Sequence, residues 1–276
     1  MRATRLVFHA VLLPAIFSMA PAFAVPALQA HRAVYDLTLD KASDQSGITG
    51  ISGRMVYEFN GSPCEGYTVK FRFVTQIASA DGTRLTDQQT TTFEDAEGKT
   101  FSFVTKSFVD QNLDKEVKGT ATKETKGLKV NIDKPEKKNL ELAITQFPTQ
   151  HLVELIGKAE KGENFYQTNL FDGSEDANKV MTTTVVVGKK TEADKADPEA
   201  PALAKLAGEK YWPVDIAYFD ETDKSGEEVP EYRISFKLHE NGITRDLTMD
   251  YGEFSMTGKL VNLSLFDQTK PCPVSK

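Results

Sequence analysis

The chain is predicted to be all-β with one main helix, folded as a large antiparallel open barrel or spiral with that helix packed in or on its concave face. Three observations carry the prediction. Apolar and polar residues alternate with period two in about fourteen stretches from Arg32 to Phe266. Turn residues separate these stretches at regular intervals. One window alone, from Thr149 to Gly162, changes to a helical period. Sheets of that size curl or close, because the native twist accumulates and open edges invite pairing with other chains.

The first element is a targeting segment. Arg2 and Arg5 precede an apolar run from Leu6 to Ala20, and Ala22-Phe23-Ala24 is an A-x-A cleavage site, so Met1 to Ala24 reads as a secretory signal and the mature chain is expected to begin at Val25. No cysteine follows the site at once, as a lipid anchor would need, and no later stretch is long enough to span a bilayer as a helix. The mature protein is expected to be soluble, a single domain from 25 to 276.

Tyr35, Leu37 and Leu39 alternate with Asp36, Thr38 and Asp40 in the first strand. The strongest hairpin follows: Met55, Tyr57 and Phe59 share one face of a strand, and Val69, Phe71 and Phe73 share one face of the next. Its turn, Asn60 to Gly66, carries Cys64. Further strands fall at Arg84 to Glu94 and around Phe101 to Thr105. Polar strands at Lys115 to Thr122 and Leu128 to Ile132 belong near an open edge, where lysines discourage further pairing. Lys134, Lys137 and Lys138 read as a solvated loop.

In the helical window, Leu152, Leu155, Ile156 and Ala159 form one apolar stripe, with Thr149 placed to cap its start and Gly162 its end. Strands resume at Phe165 to Phe171 and Val180 to Val187 around the acidic turn Asp172 to Ala177. Lys189 to Gly208 is rich in charge, alanine and proline, and is expected to be a flexible excursion with one short helical turn. Tyr211 to Phe219, Glu231 to Leu238, Ile243 to Tyr251 and Phe254 to Phe266 complete the series, with Asn241-Gly242 as a hairpin signal.

Without the signal arginines the chain has 31 basic and 40 acidic residues, a net charge of −9. Such acidity excludes nucleic-acid binding through counterion release. Two cysteines in an exported chain are most simply read as one disulfide, Cys64 to Cys272; a redox-active pair, usually close in sequence, is the other reading.

No catalytic or cofactor motif is present, and none of the histidine or cysteine spacings suits a metal. The site assignments are therefore no catalytic residue, no metal ligand and no cofactor. His31, His151 and His239 stand singly and read as structural or exposed, His151 as a surface or capping residue. Asp172, Glu175 and Asp176, like Asp220, Glu221 and Asp223, offer carboxylates to calcium but lack the full spacing of a calcium loop. Trp212 reads as a rim or core aromatic. The most promising functional feature is geometric: a curved sheet with inward aromatics can enclose an apolar cavity, unless the helix fills it.

Five segments carry a family resemblance: His31 to Leu37, Ser52 to Tyr67 (SGRMVYEFNGSPCEGY), Thr86 to Asp95 (TDQQTTTFED), Phe147 to Glu160 (FPTQHLVELIGKAE) and Leu170 to Asp176 (LFDGSED). Together they resemble the EipB family of cell envelope integrity proteins. The resemblance implies a monomeric periplasmic β-spiral with a helix in its concavity, a disulfide at Cys64 and Cys272, and a non-enzymatic role in envelope integrity. Expected partners are other periplasmic or envelope proteins. The alternative is a carrier or sensor that holds a lipid or lipoprotein acyl chain.

Overall fold

A computed structural model describes residues 28–194, 196–220 and 229–267. The signal segment and the site after Ala24 lie outside these residues, as do Glu221, Asp223 and Cys272.

Fourteen strands form one sheet in which every neighbouring pair is antiparallel. The first eight are β1 (His31–Ala42), β2 (Ile48–Ser62), β3 (Gly66–Ser79), β4 (Gly82–Glu94), β5 (Thr100–Val109), β6 (Asn112–Glu124), β7 (Gly127–Lys134) and β8 (Lys138–Leu142). The last six are β9 (Phe165–Leu170), β10 (Met181–Val187), β11 (Trp212–Phe219), β12 (Tyr232–Leu238), β13 (Thr244–Asp250) and β14 (Phe254–Leu265). Two meanders meet where β1 pairs with β14, so β8 and β9 become the ends of the sheet. Helix α1 (Pro148–Glu160) connects those ends. The sheet does not close through them; one parallel bridge, Gln146 to Leu170, links the segment after β8 to β9.

Register follows from alternation. Met55 lies opposite Phe73, Tyr57 opposite Phe71 and Phe59 opposite Val69. The other face carries exposed ion pairs such as Arg54–Asp36 at 2.7 Å and Arg72–Asp87 at 2.8 Å. The Cys64 turn is tighter than expected, because pairing runs on to Ser62 and Gly66. A strand also occupies Lys138–Leu142, partly in the expected solvated lysine loop; it is an edge strand, where lysine side chains stay hydrated.

Helix α1 ends in a Schellman motif: Gly162 has φ +77°, its N–H donates to the Ala159 carbonyl, and the Glu163 N–H donates to the Lys158 carbonyl. Its start differs from expectation. Phe147 occupies the cap position without a side-chain bond, and Thr149 is a buried first-turn residue. The capping group comes from β4: Glu94 accepts from the N–H of Thr149 at 2.8 Å and of Gln150 at 3.2 Å. A carboxylate there also complements the positive end of the helix dipole.

The disulfide expected between Cys64 and Cys272 has only its Cys64 end among the described residues. No pair of cysteines stands at bonding distance among the described residues, because Cys272 is outside them. Cys64 is bonded rather than a free thiol, but its partner is not among those residues. The first and last strands are tied to each other by the β1–β14 ladder from His31–Leu265 to Ala42–Phe254.

Candidate functional site

Three apolar clusters line the concave side. In the first, Leu155, Ile156 and Ala159 of α1 are buried with Phe59, Tyr67, Val185, Val187 and Trp212. Trp212 is thus a core aromatic, with the Lys190 ammonium 4.5 Å from its ring centroid. The second gathers Tyr35, Met55, Leu247 and Met249. The third stacks Phe101 on Phe147 with ring centroids 5.1 Å apart.

The helix does not fill the space between these clusters. A cavity of about 710 Å³ remains, within the range of small-ligand pockets. Pro148, His151, Leu152 and Leu155 form its helical wall, while Ile156 and Ala159 are buried in the first cluster and are not among its lining residues. The stripe predicted from the sequence is therefore divided between core and cavity. Tyr35, Met55, Tyr57, Phe71 and Phe73 line one side, and Ile216, Tyr218, Tyr232, Ile234 and Phe236 another. Strand pairing carries the lining from Met55 and Phe73 to Gln88, Ser107 and Lys115, so it turns from aromatic to polar across β2–β6.

His151 is buried rather than on the surface, lines the cavity and lies 3.3 Å from the Thr183 hydroxyl. Burial lowers its pKa to about 4. Burial likewise raises the phenols of Tyr57, Tyr218 and Tyr232, so these cavity groups are neutral hydroxyls at physiological pH.

The polar end of the cavity holds Lys115, Asp172, Glu175, Lys179 and Glu231. Lys179 Nζ lies 3.1 Å from Glu175, 2.9 Å from Asp220 and 3.0 Å from Glu231. Burial disfavours its ammonium, but hydrogen bonds to the three carboxylates outweigh that effect and raise its pKa. Lys115 is engaged by Asp176 at 2.7 Å. Asp172 accepts from the Ser174 N–H. The expected calcium candidates here thus face lysines and a turn amide, and no group of three or more metal-ligating residues is assembled among the described residues.

A second constellation was not anticipated. The segment 189–208, expected to be a flexible excursion, contains α2 (Ala200–Leu203) and is anchored by buried carboxylates. Arg245 donates to Asp197 at 2.5 Å, Glu199 at 3.2 Å and His239 Nε2 at 3.1 Å. Glu199 also accepts from the N–H groups of Asp246 and Leu260, bridging β13 and β14 beyond their last paired residues, Leu247 and Gly258. These residues are scattered through the sequence, and no local pattern announces them.

The molecule is thus a barrel-like antiparallel sheet, coiled around a helix and an apolar cavity. It belongs to the EipB-like family, whose model matches residues 22–267. The cell envelope integrity protein EipB of Brucella abortus is 58% identical over 241 residues, which cover 87% of this chain and 85% of that protein. The crystal structure of a beta-barrel-like protein of a domain of unknown function from Brucella abortus is also 58% identical. It superposes with a TM-score of 0.85, covering 88% of this chain and 100% of that one.

Proposed function

We propose that this protein is a non-enzymatic periplasmic factor that supports cell envelope integrity as a monomer, by holding the apolar chain of a lipid or lipoprotein inside the spiral. A single domain beginning at Val25 does the work. The envelope role rests on the family and on the Brucella relative's description. Export rests on the charged start, apolar run and A-x-A site. The observation that carries the chain-holding role is the cavity of about 710 Å³ that α1 leaves open between aromatic walls. A site that buries most of its ligand among apolar side chains, with a few polar groups at one end, is suited to an amphiphile.

Native mass spectrometry of protein purified from periplasm without detergent tests both parts. A mass beginning at Val25 with a discrete lipid-sized increment is expected. A bare monomer would overturn the chain-holding role and direct attention to protein partners.

A further inference from the structure

Resting on that reading, the cavity's charged end specifies the kind of head group. Among the described residues, the carboxylates of Asp172, Glu175 and Glu231 line the mouth with the ammonium groups of Lys115 and Lys179, Asp176 and Asp220 pair with those two lysines, and Lys138 acts on Asp176 from farther off. Neither lysine offers an uncompensated charge to a ligand. Lys179 is 16% exposed and held by three carboxylates, and Lys115 is matched by Asp176. The Glu175 and Glu231 side chains remain 58% and 40% exposed while paired with Lys179, and each carboxylate keeps acceptor capacity beyond that pairing. Deeper in, the nearby groups are neutral phenols, a neutral histidine and apolar side chains. An anionic head would meet repulsion from these carboxylates while both lining lysines are already paired, whereas a protonated amine finds carboxylate acceptors.

We propose that the cavity selects an amphiphile whose apolar chain lies between the aromatic walls and whose protonated amine is held at the mouth by Glu175 and Glu231, beside Lys179. The net-acidic mouth acts as a filter as well as a contact: it lowers the local concentration of anionic amphiphiles and raises that of cationic ones.

The test uses the full mature protein loaded at neutral pH with phenylnaphthylamine, an apolar dye that fluoresces when sheltered from water. Dodecylamine and dodecanoate, equal in chain length and opposite in charge, are titrated below their micellar concentrations. The amine is expected to displace the dye at about tenfold lower concentration, equivalent to about 1.4 kcal/mol. That preference is expected to shrink at about 1 M salt, where surface charges are screened, and in the Glu175→Gln/Glu231→Gln double variant. Equal displacement by both chains, or stronger displacement by dodecanoate, overturns the head-group inference and leaves the cavity reading standing. A preference unchanged by both salt and the double variant also overturns it, since the selection would lie elsewhere. Failure of the dye and of both chains to bind removes the cavity reading, and the head-group inference with it.

Discussion

Arg245 is among the largest side chains that the protein buries completely, and it is buried with its partners Asp197, Glu199 and His239. Removing one partner from such a set leaves uncompensated charge away from water. Arg245→Met is therefore expected to lower unfolding stability by about 3–5 kcal/mol, read from the midpoint of urea denaturation. A loss below 1 kcal/mol would show that water reaches the site. The histidines supply a second prediction. Because Arg245 donates to His239 Nε2, the ring proton resides on Nδ1. Burial, aided by the Arg245 charge, lowers the His239 pKa to about 4, and burial lowers that of His151 to about 4 as well. Both are below the unfolded value near 6.5, so the unfolded chain binds more protons in between. Stability is therefore present above pH 6.5 and falls as pH drops toward 4, by about 2 kcal/mol for each residue at pH 5. Glu94 and Glu199, raised by burial, act with the opposite sign as pH falls through their raised values toward the ordinary carboxylate value. Thermal melts from pH 7 to 5 should show this decline, and His151→Gln should make it shallower.

Helix α1 serves both as core and as cavity wall, and neighbouring positions on its stripe separate the roles. Leu155 is 1% exposed and Leu152 only partly buried against the same cluster. Leu155→Ala is expected to cost about 2–5 kcal/mol through lost burial and a new void. Leu152→Phe adds volume toward existing space, so it should reduce uptake of an apolar dye more than it alters the urea midpoint. The reverse pattern would mean that Leu152, not Leu155, sustains the core. The helical period made the stripe legible in sequence. Its division did not follow, because the curvature of the sheet decides how far each side chain projects into space. Glu94 illustrates the same limit. It sits 55 residues from the amide it caps, and nothing near Thr149 indicates a partner on β4.

At the scale of the whole sheet, the first and last strands lie at its middle and strands from the middle of the sequence lie at its ends. The β1–β14 pairing makes the first and last strands interior ones, flanked by β2 and β13. β8 and β9 are the strands at the ends of the order. Hydrogen exchange should therefore be slowest for amides in β1, β2 and β14 and fastest in β8 and β9, although β9 is in mid-sequence. Equal protection across all fourteen strands would mean that the seam near Gln146 closes as firmly as a regular ladder.

The sequence by itself determined which segments are strands, apart from β8, where the helix runs, and that inward aromatics oppose outward charges, since period and turn chemistry are local properties of the chain. It also carried the family, through segments long enough to be distinctive. The tertiary structure alone decided the meeting of β1 with β14, the cap supplied by Glu94 and the burial of Asp197, Glu199 and Arg245. It also decided whether α1 would leave a cavity. These depend on distances between residues far apart in the chain, and such distances are set by the accumulated twist of the whole sheet rather than by any local pattern.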